Sequence, residues 1–380
     1  MYKTDFPPAT YIETPADLQR LVEILAAETL LAIDTESNSL YAYQECVCLI
    51  QLSTRTEDYI IDPLAIDDIQ PLAPLMASES IQKVFHAAEY DIVCMKRDFG
   101  FTFNNLFDTM VASRVCGFEL VGLGNLLNKY VGVKTNKRHQ RDDWGKRPLS
   151  TDSLLYAQMD THHLPFIRDQ LAEQLEKMGR MAEAQEIFDE IRNYPAAEMR
   201  CFDPKGFWNI GSPNMLERDE MRILSELYTL REKLAKKRDV PSFKVMDNKA
   251  LIALSQSAPT SKNRLQKVNG MNHYQIKNYG DKIIQAIQRG KEKKELPPPP
   301  RRNPPSPVIS ERYTALHLWR KERAIERGVS SDVIISKNTL WDVAHKDPAS
   351  LDELQYVQGI GPWRLGTYGD EILGILEKFK

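Results

Sequence analysis

Up to about residue 180, short apolar runs bounded by polar residues alternate with stretches of helical period. Leu30 to Asp34 (LLAID), Val47 to Ser53 (VCLIQLS), Asp58 to Asp62 (DYIID) and Lys83 to His86 (KVFH) have strand length and predict four strands. Three of them follow one another with little between them before the first long helix. That order predicts a mixed sheet with an antiparallel portion rather than a purely parallel doubly wound one. Helices are predicted over Glu89 to Phe99, Thr109 to Cys116, Leu123 to Tyr130 and, as one long element, Thr151 to Met178. Asp108 before Thr109, and Ser150 with Thr151 and Asp152, supply N-cap chemistry, so Asp108 reads as a cap rather than as a catalytic acid.

Beyond residue 180 strand signals almost vanish and the chain reads as helical, with one break at Glu295 to Pro307 (ELPPPPRRNPPSP). Its seven prolines forbid a helix and favour an extended polyproline linker. The segments on either side are repeats. Shifting the sequence by 89 positions lays Leu227 on Leu316, Arg231 on Arg320, Arg238 on Arg327, Leu251 on Leu340, Gly270 on Gly359 and Tyr279-Gly280-Asp281 on Tyr368-Gly369-Asp370 without a gap. The predicted organisation is an α/β domain over 1–180 and a helical connector over 181–213, the least informative stretch. A first all-α repeat follows over 214–294, then the linker over 295–307 and a second repeat over 308–380.

A length of 380 residues suits about two or three domains. A content of 42% hydrophobic and 27% charged residues excludes disordered and fibrous classes. No apolar run approaches the roughly 20 residues of a membrane-spanning helix, and the opening MYKTDFPPATYIET lacks the charged and apolar regions of a signal peptide. The expectation is a cytoplasmic protein with no membrane partner. Cys46, Cys48, Cys94, Cys116 and Cys201 are odd in number and scattered, which fits reduced structural thiols better than a disulfide framework or a zinc site. A net charge of −3 hides local basic stretches, Arg231 to Arg238 (REKLAKKR) and Lys262 to Lys294.

Candidate chemistry sits in three separated pieces of the first domain. Asp34-Thr35-Glu36 closes the run LLAID, and residues i and i+2 of a strand point to one side, so both carboxylates project together. Two such like charges repel unless a cation lies between them, and hard divalent cations such as Mg²⁺ take oxygen ligands of this kind. His86-Ala87-Ala88-Glu89-Tyr90-Asp91 spans a strand-to-helix junction, with Asp91 in the first turn. Tyr156-Ala157-Gln158-Met159-Asp160 places a phenol and a carboxylate four residues apart on one helical face, where the phenol can orient a water beside a metal-ligating group. Each piece alone is a common accident. Their order, spacing and placement together are not.

The combination resembles the DEDD exonuclease superfamily, and the tyrosine of the third piece resembles its DEDDy branch. CLIQLSTRTEDYIIDPL, Asp143-Trp144-Gly145-Lys146-Arg147-Pro148-Leu149 and YAQMDTHHL resemble ribonuclease D and the related exonuclease subunit of the nuclear exosome. Each repeat resembles an HRDC domain. The resemblance implies a ribonuclease-H-like mixed sheet flanked by helices and two all-α HRDC-like domains. It implies Asp34, Glu36, Asp91 and Asp160 as ligands of two Mg²⁺ or Mn²⁺ ions, with Tyr156 orienting the attacking water. The activity implied is 3′→5′ hydrolysis that releases nucleoside 5′-monophosphates from RNA with a free 3′ end, transfer RNA precursors among them.

Other positions carry paired readings. His86 is a supporting group of the site or a hydrogen-bonded structural residue, and His162 and His163 cannot both face the site. The basic loop Lys134 to Arg147 offers phosphate contacts, with Trp144 and Arg147 as candidates and packing as the alternative for Trp144. Val268-Asn269-Gly270 and Val357-Gln358-Gly359-Ile360-Gly361 lie where a loop enters a helix; exposed N–H groups there can accept a phosphate, or the glycines simply permit tight packing. The first repeat adds Lys262, Arg264 and Lys267 whereas the second has Asp347, Asp352 and Glu353, so RNA is expected on the first. Two rival functions stay open. One is a DNA exonuclease of the same superfamily, because nothing in the five catalytic residues reads a 2′-hydroxyl. The other is a nucleic-acid-binding protein with an inactive site.

Overall fold

A computed structural model describes residues 6–135, 137–211, 215–300 and 304–380. Residues 212–214 at the end of the expected connector, 301–303 of the expected linker and Asn136 of the basic loop lie outside the described residues. The chain divides into two compact units, one of Met1–Ser37, Val47–Ala197 and Pro304–Lys380, the other of Asn38–Cys46 and Glu198–Asn303. Among the described residues no helix is long and apolar enough to cross a membrane.

The first unit is built on six strands: β1 Thr10–Ile12, β2 Leu30–Ser37, β3 Val47–Ser53, β4 Asp58–Ile61, β5 Gln82–Phe85 and β6 Leu106–Asp108. Their order in the sheet is β1-β4-β3-β2-β5-β6. β3 runs antiparallel to both β2 and β4, while β1 with β4, β2 with β5 and β5 with β6 are parallel. This is the mixed sheet that the strand order predicts. Every residue of β3 is buried, so helices cover both faces of the sheet centre.

The helices of this part are α1 Pro15–Leu25, α2 Ala73–Ala77, α3 Glu89–Phe99, α4 Thr109–Val115, α5 Leu123–Val131, α6 Thr151–His162, α7 Leu164–Lys177 and α8 Met181–Arg192. The single helix expected over 151–178 is two, because Pro165 in the first turn of α7 lacks the N–H that would continue the ladder, and the chain breaks at His163. α8 is no connector. Ala184, Phe188 and Ile191 are buried in the same core as the sheet, so the body extends past the expected boundary at 180. Asp108 is a cap, as its sequence context predicts, and also more than a cap. Its carboxylate accepts from Met110 N and Val111 N of α4 and from Ala87 N and Ala88 N at the entry to α3, where Ala87 has φ +64°.

In the second unit the first repeat forms α9 Arg218–Arg238, α10 Ser242–Val245, α11 Asn248–Ser257, α12 Lys262–Leu265 and α13 His273–Glu292. The second repeat, which belongs to the first unit, forms α14 Pro307–Arg327, α15 Ser331–Ile334, α16 Lys337–Lys346, α17 Leu351–Leu354 and α18 Pro362–Leu376. Each helix starts 89 residues after its counterpart, the offset read from the sequence. The repeated residues hold the fold. Arg231 donates to Met246 O and Arg320 to Ile335 O, and Arg238 and Arg327 each donate to a tyrosine hydroxyl, Tyr279 and Tyr368.

The second repeat docks on α8. Arg327 clasps Glu183 with two hydrogen bonds of 2.6 and 2.5 Å, and Glu183 is 1% exposed. The Glu186 carboxylate accepts from the backbone N–H groups of Gly361, Trp363 and Arg364 at the start of α18, at 3.2, 2.6 and 3.3 Å. The glycine turn expected to accept a phosphate is therefore filled by a side chain of the same chain.

Candidate active site

Two faces of the sheet contribute to one cavity at the end of β2. Asp34 and Glu36 alternate with Thr35 along the strand, so the two carboxylates share a face while Thr35 turns to the other. Thr35 Oγ1 donates to the Asp91 carboxylate in the first turn of α3. On the opposite face, Ser53 of β3 gives its proton to Asp58 and accepts from the Thr161 hydroxyl of α6 at 2.7 Å, which lays α6 along the sheet and brings Tyr156 and Asp160 to the strand end. The result is a cavity of about 770 Å³ whose walls include Asp34, Glu36, Asp91, Tyr156 and Asp160. Residues distant in the sequence thus converge. Asp34, Glu36 and Asp160 each offer an oxygen such that the three lie within 4.8 Å of one another.

Burial and mutual repulsion govern the protons here. The Asp34 carboxyl is pushed well above the usual carboxylate range, by burial first and then by Asp91, Asp160 and Glu36. Glu36 rises to about 9 through burial and the charges of Asp160 and Asp91. Asp91 and Asp160 rise to about 7, again with burial foremost, although hydrogen bonds from Thr35 and Tyr156 respectively oppose the shift. Four carboxyls that resist ionising together, with three oxygens converging, form a site that a divalent cation would complete, because the cation's charge replaces the shared protons. Tyr156 is likewise held protonated, by burial and the three carboxylates around it, so its hydroxyl works as a hydrogen-bonding group and not as a base.

His86 lines the same cavity. The Thr109 hydroxyl spends its one proton on Phe85 O at 2.9 Å, so His86 Nδ1, 3.0 Å from Thr109 Oγ1, must be the donor of that pair. Burial lowers the imidazole's pKa, leaving a neutral ring whose Nε2 carries the lone pair. His162 and His163 face elsewhere: His162 pairs with Asp58 at 2.7 Å and stacks on Phe6.

The residues expected to contact RNA differ in how accessible the structure leaves them. Trp144 is 1% exposed and packs 6.2 Å from the Tyr156 ring, the packing role that is the alternative for it. Arg147 is committed to Asp62, through Nη2 at 2.7 Å and Nε at 2.5 Å, and to the carbonyls of Trp144 and Cys48. The basic loop nevertheless reaches the cavity through Lys134 and Lys137, joined by Asn125 and Asn128 of α5 and by Gln140. Loop position and charge were the signal for these residues, and the choice between neighbouring cations was not in the sequence. In the first repeat Arg264 and Lys267 are exposed, while Lys262 pairs with Asp281 at 2.7 Å. Gly270 has φ +87°, and a Cβ there would stand 3.0 Å from Ala250, so turn geometry and packing account for this glycine.

Comparison with known proteins agrees with this architecture. The 3′-5′ exonuclease family matches residues 9–176 and the HRDC domain matches 220–287 and 310–376. Ribonuclease D of Gluconacetobacter diazotrophicus is 29% identical over 98% of this chain and 94% of its own length. Ribonuclease D of Nitrobacter hamburgensis is 28% identical over 96% and 94% respectively. Among solved structures, the catalytic core of RRP6 from Trypanosoma brucei is 27% identical with a TM-score of 0.69, covering 78% of this chain and 82% of that one. Escherichia coli RNase D shares the fold, with a TM-score of 0.67 over 98% of this chain and 99% of its own at 23% identity. The exonuclease family implies dependence on a divalent metal, which the acidic cluster fits. With an exonuclease domain ahead of two HRDC domains, and ribonuclease D proteins similar to it over nearly its whole length, the chain is a 3′→5′ exoribonuclease that resembles ribonuclease D throughout.

Proposed function

We propose that Asp34, Glu36, Asp91 and Asp160 hold two divalent cations, Mg²⁺ or Mn²⁺, and that the enzyme trims the free 3′ ends of cytoplasmic RNA, transfer RNA precursors among them. The convergence of three carboxylate oxygens within 4.8 Å, in a cavity that also holds Asp91 and Tyr156, carries this reading. Such a pair of cations supplies the acidity that ionises a water near neutral pH and the positive charge that offsets the leaving 3′ oxygen. The chain's own groups do the rest. Tyr156 donates its hydroxyl proton to Asp160, and its oxygen lone pairs remain to accept a hydrogen bond from the attacking water and set its approach. Asp91 is oriented by Thr35. Lys134 and Lys137 stand where the phosphates of the 3′-terminal nucleotides enter the cavity. No protein nucleophile is required, so the product is a nucleoside 5′-monophosphate.

The test is degradation of a 5′-labelled single-stranded RNA with and without chelator. A descending ladder of products that stops when the cation is removed, and is absent for Asp34→Ala, supports the assignment. Internal cuts in a circular RNA, or full activity in excess chelator, overturn it. Matched RNA and DNA oligonucleotides run in parallel decide whether the sugar is read.

A further inference from the structure

The sheet face that carries the carboxylates holds a polar side chain with no evident structural task. Gln51 of β3 lies directly opposite Asp34 of β2 in the antiparallel register. Such cross-strand neighbours stand about 5 Å apart at Cβ. Its orientation follows from Ser53, two residues on, which reaches Thr161 of α6; with a period of two, Gln51 turns toward α6 as well. Its neighbour on β4 is Ile60, which offers no side-chain hydrogen bond. Gln51 is fully buried, and among the described residues neither its amide nitrogen nor its carbonyl oxygen has a partner.

A buried carboxamide without partners destabilises a fold, and a methionine or leucine would fill the same space without that cost. What Gln51 offers and those residues lack is an N–H donor beside a carboxylate. Asp34 takes a hydrogen bond from the Thr35 backbone, and a carboxylate has capacity for more. The terminal torsions of both side chains are broad, so a turn of either group brings donor to acceptor. We propose that Gln51 is a positioning residue for Asp34: its Nε2 donates to the Asp34 oxygen not turned toward the cation and fixes the carboxylate in its ligating orientation. This inference rests on the cation-binding reading of the site.

The experiment measures Mn²⁺ binding by calorimetry, and thermal unfolding in chelator, for the full chain and for Gln51→Met, Gln51→Leu and Asp34→Ala. Loss of an outer hydrogen bond to a ligand weakens metal binding about 10- to 100-fold. Gln51→Met is therefore expected to bind Mn²⁺ that much more weakly while its chelator-treated form melts no lower than wild type. Gln51→Leu repeats the measurement with a differently shaped side chain, in case methionine does not pack. Wild-type Mn²⁺ affinity in either apolar variant overturns the role of Gln51 and leaves the metal site standing. Absence of Mn²⁺ binding by the wild-type chain, or its persistence in Asp34→Ala, overturns the cation-binding reading itself.

Discussion

Replacing Asp160 by asparagine should stabilise the metal-free protein above neutral pH and destabilise it when the cation is present. Burial foremost, then the charge of Asp91, raises the Asp160 carboxyl from 3.8 to about 7. A group whose pKa is raised by folding contributes stability below its unfolded value and loses it as pH rises through its folded value, here from about 4 to 7. A rise of that size corresponds to about 4 kcal/mol as an upper bound. Asp160 is only half-buried at the cavity wall, so solvent and counterions leave about 1–2 kcal/mol. In a body of this size each kcal/mol moves Tm by about 2–4 °C, so Asp160→Asn is expected to raise Tm in chelator at pH 8 by about 2–8 °C. The amide oxygen still accepts from Tyr156. At pH 5 the folded Asp160 is protonated while the unfolded one has begun to ionise, so the gain should shrink to about a third of its value at pH 8. With saturating Mn²⁺ the order should invert, since the variant forfeits a ligand and the stabilisation that binding confers. Melting curves at the two pH values, with and without Mn²⁺, contain the whole test. A lower Tm for the variant at pH 8 in chelator, or the same gain at pH 5, would refute the account of repelling carboxyls.

Three further outcomes are expected. Tyr156→Phe should lower kcat about 100-fold or more while Mn²⁺ affinity stays within error of wild type, as the proposed role of its hydroxyl in orienting water rather than binding the cation requires; single-turnover kinetics and calorimetry check both halves. Glu183→Gln should lower the Tm of the first unit strongly, since breaking a buried pair costs about 3–5 kcal/mol, whereas Asp169→Asn at the exposed pair with Arg55 should change stability by about 1 kcal/mol or less. Neutralising Lys262, Arg264 and Lys267 together should weaken RNA binding and flatten its salt dependence by about 0.7 for each phosphate no longer engaged, read from binding isotherms at several salt concentrations.

The parts of this molecule legible from sequence are those whose signal is local. β3 and α3 begin and end at the predicted residues because apolar runs and a C-terminal glycine mark them, Gly100 taking φ +67° after α3. β1 and β6 were not legible, since three residues cannot show a period and each is a strand only through its pairing with β4 or β5. The carboxylates were legible because chemistry restricts them: the spacing of Asp34 with Glu36 and of Tyr156 with Asp160 already sets their shared faces. Which cation of the basic loop meets substrate was hidden. Arg147 is withdrawn from the cavity by Asp62, 85 residues earlier, and Trp144 by packing against Tyr156, and neither pairing leaves a trace near the loop itself. Gln51 was part of a motif but had no role until the register set it opposite Asp34.

The two repeats share one fold and differ in how their last long helix is capped. In the first, Asn272 caps α13 by accepting from Gln275 N, and the Gln275 side chain returns the bond to Asn272 N, so the helix start is self-sufficient. Eighty-nine positions later the same two places hold Gly361 and Arg364, and α18 has no side-chain cap of its own. Its unsatisfied N–H groups are met by Glu186 of α8, and a Cβ on Gly361 would collide with that carboxylate. Arg364 points inward, pairing with Glu190 at 3.2 Å. The second repeat has thus exchanged a self-made cap for one supplied by the exonuclease body, and the exchange fills the very N–H groups that would receive a phosphate. Placing asparagine at Gly361 would not create an open phosphate seat, because Glu186 already occupies the space. We therefore propose the first repeat, whose cap is internal and whose Arg264 and Lys267 stand exposed, as the one that meets RNA.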